Sequence, residues 1–328
     1  MGPPEVTSAA AMKWKKEARE WKVRALRRRK MGRLKDLVIA PKARERYAVR
    51  VARFTAELAD AGVPFPRSIR ELDEELESAV GELWWKGAPK GWAADLLSGV
   101  QHFVPWTRKK LVASWRVYGA WNRREYPDRA PPMDRRLVLA LAWWFWSRGR
   151  RRTALTVLLG FHCYVRTGEL LGLRKASIAI GRDGRGVVSL GVTKGRRVEM
   201  VTVDDPALGR LLARELKEVK DGERVVEIEE KEFRQGFQAA MEEFGVAELR
   251  YKPYSLRRGG ATEDFRKHGR LDRALLRGRW KGHTAARQYI LEGMEMGVRM
   301  KRSPVVELGI LRAAQKLTET LGRLAEAA

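Results

Sequence analysis

The chain has 328 residues, with 67 Lys+Arg against 41 Asp+Glu and a formal charge of +26 at pH 7. An excess of that size predicts a polyanionic partner, nucleic acid first and an anionic membrane surface second. The single cysteine, Cys163, excludes an internal disulfide and a cysteine-based zinc site. The histidines, His102, His162, His268 and His283, share no metal-binding spacing, so neither metal nor other cofactor is expected. A hydrophobic fraction of 44% supports a sizeable core, and the length favours two domains. The longest apolar run, Leu137 to Trp146, falls well short of the roughly 20 residues a bilayer span takes. No leader pattern opens the chain. These features predict a soluble intracellular protein, nuclear if eukaryotic and otherwise of the cytoplasm or nucleoid.

Residues 1–40 form a basic N-terminal arm, of which 1–12 are expected to be disordered. Residues 13–36 hold twelve Lys/Arg against Glu17, Glu20 and Asp36, a net +9 without an interrupting proline. That pattern fits a basic helix on phosphates, a nuclear-localisation patch or a solvated charged face. Residues 41–125 carry four helical patterns. Pro41 opens the first, with Tyr47, Val51, Phe54 and Leu58 at three-to-four-residue spacing. Ser68 caps the second, which runs through Leu72, Leu76, Val80 and Leu83. The third spans about 90–103, and the fourth starts near Thr107. Residues 126–132, rich in proline, read as a linker.

Residues 133–302 read as a mixed second domain. Helices are predicted over 134–148 and 152–164. Ser177–Ile180, Gly186–Leu190 and Glu199–Val203 follow as a small antiparallel meander, with a turn at 181–184 and a tight one at Lys194–Gly195. A helix over 206–219, a short strand near Val225–Ile228 and further helices to 300 complete it. Residues 303–328 form a last amphipathic helix with Ile310, Leu317, Leu321 and Leu324 on one face. The overall expectation is a mainly α chain with a small antiparallel β-sheet.

Three segments carry chemistry. Tyr164 to Arg174 places Arg166 and Glu169 three apart, on one helical face. Pro253 to Thr262 places Tyr254 and Arg257 three apart at a helix start. Gly278 to Ile290 places Trp280 nine residues before Tyr289. Breaking a phosphodiester without metal takes a nucleophile, which a tyrosine hydroxyl can be. It also takes fixed cations for the charge growing on the non-bridging oxygens, which arginine supplies. The leaving oxygen takes a proton, which lysine can give.

These segments resemble the tyrosine recombinase (phage-integrase-like) family. Arg166-Thr-Gly-Glu169-Leu170 is similar to its first box, Tyr254-Ser-Leu-Arg257 stands in the place of its His-x-x-Arg box, and Trp280 and Tyr289 match its third. Lys194 in Thr193-Lys-Gly-Arg-Arg197 sits where the family has a catalytic hairpin lysine. The resemblance covers about 40–300 and implies an N-terminal four-helix core-binding (SAM-like) domain with a mixed α/β catalytic domain, together clamping duplex DNA as a C shape. It implies a site-specific recombinase working through a 3′-phosphotyrosyl intermediate, with a homotetramer on synapsed DNA and the C-terminal helix making protomer contacts. The implied roles are nucleophile for Tyr289, phosphate clamp for Arg166 and Arg257, and general acid for Lys194. Trp280 would donate its indole N–H to a phosphate oxygen, and Glu169 would orient Arg166 or a neighbouring donor.

Tyr254 departs from the family's usual histidine, and a phenol with an ordinary pKa near 10 cannot shuttle protons as an imidazole does. A tyrosine there, followed by Ser-Leu-Arg-Arg-Gly-Gly-Ala, resembles the eukaryotic mobile-element kind. Competing readings are a catalytically inactive DNA-binding relative and a type IB topoisomerase that relaxes supercoils. Blander readings also stand beside the sharp ones. Trp143, Trp144 and Trp146 read as core, His162 and His283 as packing or surface residues, and Gly181–Gly186 as a turn.

Overall fold

The computed structural model describes residues 8–126, 129–192, 198–226 and 228–326. It divides into two compact units, Met1–Asp128 and Arg129–Ala328.

The first unit opens with a helix already formed at Ser8 (α1, Ser8–Met31), so helix and not disorder covers residues 8–12. Alanines at 9–11 and an absence of Gly or Pro from Ser8 to Met31 favour that start. Helices α2 (Pro41–Asp60), α3 (Ile69–Trp85), α4 (Lys90–Phe103) and α5 (Val112–Arg124) follow. Ser68 caps α3 by accepting the Glu71 N–H at 3.1 Å. The fourth helix starts five residues later than its pattern predicts. Residues 105–107 form a 3-10 turn instead, and Lys109 takes a left-handed φ of 65°. The true start is set from α3: the buried Asp73 carboxylate accepts the N–H groups of Ala113 and Ser114 at 2.8 and 3.0 Å and the Ser114 hydroxyl at 2.6 Å. Burial raises the Asp73 pKa, but these donors outweigh it and hold the carboxyl low. The core gathers Phe54, Leu76, Val80, Leu97, Val100 and Leu111.

In the second unit, α6 (Arg135–Ser147) and α7 (Arg151–His162) build the core with Leu137, Leu141, Phe145, Leu155 and Leu159. Trp146 is buried, and Trp143 and Trp144 pack against the same core. The segment leading into α6 is no solvated linker beyond Arg129: Ala130, Met133 and Asp134 are buried. A short helix α8 (Thr167–Leu171) precedes an antiparallel sheet of order β1-β2-β3: β1 Ile178–Ile180, β2 Gly186–Val192 and β3 Val198–Val203. Val188 pairs with both Ile178 and Val201, and these three side chains face the core. The strand expected near Val225–Ile228 is reduced to an isolated bridge between Arg174 and Arg224. Glu227 lies outside the described residues.

Helices α9 (Pro206–Glu215), α10 (Glu230–Glu243), α11 (Tyr254–His268), α12 (Leu271–Gly278), α13 (His283–Arg287), α14 (Glu292–Met300) and α15 (Pro304–Glu326) complete the unit. The apolar face of α15 is covered by its own chain, against α6 and α9, with Ile310 and Leu317 fully buried. At its base the buried Arg302 donates to the Asp134 carboxylate and, at 2.8 Å, to the Tyr251 hydroxyl. Asp134 also caps α6 by accepting the Leu137 N–H at 3.2 Å. Two glycines fix where α11 lies. A Cβ on Gly259 would sit 1.9 Å from the Met133 carbonyl oxygen, and one on Gly260 2.0 Å from that of Phe161. Only glycine lets α11 press this closely on both backbones.

Candidate active site

Arg166 and Glu169 do not share a helical face. Arg166 is the N-cap of α8, and Glu169 folds back to accept the Arg166 backbone N–H at 3.1 Å and its guanidinium on the other carboxylate oxygen. The spacing three apart is a capping box, in which the third helical residue reaches back to the cap. Arg166 keeps its side chain about one-third exposed and Glu169 is largely buried. Burial pushes the Glu169 carboxyl upward, but the Arg166 backbone N–H and the guanidiniums of Arg279 and Arg166 outweigh it and hold it low.

Tyr254 and Arg257 occupy the first turn of α11, as their spacing predicts. Arg257 is only 1% exposed. Its guanidinium donates to the carbonyls of Tyr164 and, at 2.7 Å, Gly278, while Nε has no partner among the described residues. Tyr164 holds a left-handed φ of 50°, and its carbonyl meets Arg257 from that conformation. Burial, then the neighbouring guanidiniums of Arg166 and Arg279, push Arg257 down to about 10, so it stays charged at neutral pH.

The third segment brings Trp280 and Tyr289 together. The Trp280 ring stacks on Tyr289 at 4.5 Å between centroids and on Tyr164 at 6.5 Å, a three-ring pile. Arg257 lies 5.2 Å from the Trp280 ring and 5.3 Å from that of Tyr289. The phenol of Tyr254 donates to that of Tyr289 at 2.6 Å. Burial would raise the Tyr289 pKa, but the Tyr254 hydrogen bond, the Arg257 guanidinium, the Trp280 indole N–H and the Arg166 guanidinium win, and the phenol is lowered below its ordinary value. Tyr254 moves the other way, up to about 12, through burial and its bond to Tyr289. The buried indole N–H of Trp280 also favours the Tyr289 phenolate, but it has no well-aligned hydrogen-bond acceptor among the described residues. Lys194 lies outside the described residues. The strands on either side of it pair antiparallel, with Val192 opposite Val198.

Several site residues escaped the sequence reading. Thr262 pins the Tyr289 segment by donating to the Tyr289 carbonyl at 3.1 Å and accepting the Leu291 N–H at 3.2 Å. Its signal was present: Tyr254, Arg258 and Thr262 recur every four residues, one face of α11. Arg258 faces the same two rings, 5.6 Å from Tyr254 and 6.0 Å from Tyr289, and is tied to the Ala130 carbonyl at 2.7 Å. Arg279 carries no motif signal, yet it bonds Glu169. His162 is also more than packing, because its Nε2 accepts the Asp204 N–H at 3.1 Å beside Arg277. Among the described residues, no group of three His, Cys, Asp or Glu side chains is placed to hold a cation.

Neither a protein-family model nor a curated protein matches the sequence. Solved structures do. A XerH site-specific recombinase bound to difH substrate, in a pre-cleavage complex, aligns with a TM-score of 0.51 at 13% identity, over 75% of this chain and 74% of that one. A lambda integrase dimer bound to a COC′ core site aligns at 0.52 and 14%, over 77% and 72%. A second, shorter lambda integrase on that core site aligns at 0.53 and 16%, over 77% and 89%. The chain therefore has the tyrosine recombinase, integrase-like fold: mostly helical, with one small antiparallel sheet.

Proposed function

We propose that the chain cleaves and rejoins duplex DNA through a covalent link at Tyr289. The observation that carries this reading is the Tyr289 phenol, lowered in pKa and set within a ring of cations and unpartnered donors. Among the described residues Arg257 Nε has no acceptor and Trp280 Nε1 no well-aligned one, a costly state for buried donors that a phosphate oxygen would relieve. Arg166 keeps about one-third of its side chain exposed, so its guanidinium can exchange Glu169 for a phosphate. The +26 charge supplies the sequence-independent affinity that such a partner calls for.

The step balances without an oxidant or a cofactor. The Tyr289 phenol gives its proton to solvent, its oxygen bonds to phosphorus, and the bond from phosphorus to the 5′-oxygen breaks. That oxygen takes a proton, for which Lys194 is the expected donor, and a 3′-phosphotyrosyl link remains. Attack by a 5′-hydroxyl reverses the exchange and frees Tyr289. Arg166 and Arg257 meet the extra negative charge of the transition state, where fixed cations in a water-poor site act most strongly. Exchange between two duplexes takes four such sites, hence a homotetramer on synapsed DNA, in the setting of site-specific recombination by a mobile element.

A library of nicked duplexes with randomised cores tests the reading. Cleavage near the nick releases a short fragment, so rejoining fails and the adduct accumulates on a denaturing gel. Wild type is expected to accumulate it, and Arg257→Ala to lower its rate by at least about 100-fold, the usual scale for losing a transition-state donor. Strong, salt-sensitive binding with no adduct would leave only a DNA-binding protein.

A further inference from the structure

Arg279 joins the end of α12 to Trp280, at the start of the stretch that carries Tyr289. It ends α12 as a left-handed residue, φ 57° and ψ 39°. The Arg279 N–H reaches the Leu276 carbonyl at 3.0 Å, and the Trp280 N–H reaches that of Leu275 at 3.1 Å. This is the helix ending in which glycine is the usual left-handed residue. An arginine here is strained, and its side chain is only 7% exposed. Strain retained at such a position signals a function that requires the side chain.

That side chain reaches the first segment and the sheet. Nη2 donates to Glu169 Oε2 at 2.9 Å, and Nη1 lies 3.4 Å from Glu199 Oε2, on β3 just beyond the connection that carries Lys194. Glu169 thus holds two guanidiniums at once, Arg166 on Oε1 and Arg279 on Oε2. The two differ in freedom, because Arg166 is about one-third exposed while Arg279 is enclosed. An arriving phosphate can draw Arg166 away only if Glu169 is not stranded as a buried, unpaired charge.

Resting on the DNA-cleaving reading, we propose that Arg279 is the permanent counter-ion of Glu169, which frees Arg166 to move from Glu169 onto the scissile phosphate. It is a positioning residue acting through Glu169. Without it, the Glu169 carboxylate has Arg166 as its remaining guanidinium partner and holds it back from the anion. Removing the charge of Glu169 as well should then release Arg166 again.

The test uses the full chain, Arg279→Met, Arg279→Lys, Glu169→Gln and the Glu169→Gln/Arg279→Met pair, with two readouts. The first is the single-turnover adduct rate on the selected nicked duplex. The second is calorimetric binding of tungstate, a phosphate-like oxyanion whose binding needs no catalysis. Arg279→Met should lose at least about tenfold in both, the scale of one charge-assisted contact. Arg279→Lys should recover part of the loss, and the double variant should exceed Arg279→Met in both. Equal behaviour of Arg279→Met and wild type would overturn the proposal, as would a double variant whose losses multiply. If Arg279→Met does not fold, failure of Arg279→Lys to bind tungstate more weakly than wild type overturns it. If wild type forms no adduct, the cleavage reading fails, and tungstate binding still decides the role of Arg279.

Discussion

The phenol oxygens of Tyr254 and Tyr289 lie 2.6 Å apart, with Tyr254 donating. The bond stabilises the ionised form of the acceptor, which under the proposed cleavage reaction would prepare Tyr289 to attack as a phenolate. Tyr254 itself, pushed up to about 12, holds its proton throughout the neutral range. It is a donor to the Tyr289 phenol, where a histidine would exchange protons.

A pH profile separates these roles. Tyr289 is lowered by Tyr254, Arg257 and Arg166 against the opposing effect of burial, and Trp280 and Arg258 face it as well. The adduct rate is expected to rise tenfold per pH unit below the Tyr289 pKa and to level off above it, under 10. Tyr254→Phe should slow the reaction at pH 7 by roughly 10–100-fold, the scale of one lost hydrogen bond to a charged oxygen. It should also move the plateau to higher pH. A Tyr254→Phe profile with the wild-type plateau would show that the bond does not tune Tyr289.

Thr262 offers a check on positioning. It joins α11 to the Tyr289 backbone through two hydrogen bonds and touches no reacting atom. Thr262→Val keeps the shape and removes both. Adduct formation is expected to fall about tenfold or more, as a misplaced nucleophile implies, with DNA affinity unchanged in a filter-binding assay.

Stability of the second unit should depend on Asp134. Its carboxylate caps α6 and neutralises Arg302, whose side chain is fully buried and whose pKa is raised by Asp134 and Tyr251 against burial. Asp134→Ala leaves that guanidinium with Glu307 as its remaining carboxylate, 3.2 Å from Nη1 and partly exposed. The expected loss is about 3 kcal/mol in denaturant unfolding, the lower end of the range for breaking a buried pair, because Glu307 still meets the charge. Arg302→Met together with Asp134→Leu should recover much of it.

His162 gives an acid-side prediction. Burial, then Arg277, lower its pKa to about 4 from an ordinary 6.5, so the folded ring is neutral where the unfolded one is charged. For a base lowered by folding, stability is complete above the unfolded value and is lost as pH falls from 6.5 towards 4. The full loss is about 3 kcal/mol, at 1.36 kcal/mol per unit. Depressed carboxylates such as Asp204 add losses at lower pH, so the comparison is with His162→Gln. That variant should show a flatter denaturation midpoint between pH 6.5 and 4.

Most elements were legible because their signals are local. Ser68, Asp134 and Pro206 mark helix starts, and alternation marks the sheet. The start of α5 was not, because Asp73 sets it from another helix. Arg166 and Glu169 were found by spacing, but the same spacing serves a capping box as well as a helix face, and only the backbone distinguishes them. Arg279 was illegible. Its left-handed backbone and its reach to Glu169, 110 residues away in sequence, exist only in the folded chain.

The central claim is that Tyr289 forms the covalent bond, and the close pair of phenols makes the point decidable. Adducts trapped on nicked duplexes can be digested with trypsin, and the DNA-linked peptide sequenced by mass spectrometry. The expected peptide is the one that follows Arg287 and carries Tyr289, and Tyr289→Phe should abolish the adduct while Tyr254→Phe only slows it. A link mapped to Tyr254, or an adduct that survives Tyr289→Phe, would contradict the account.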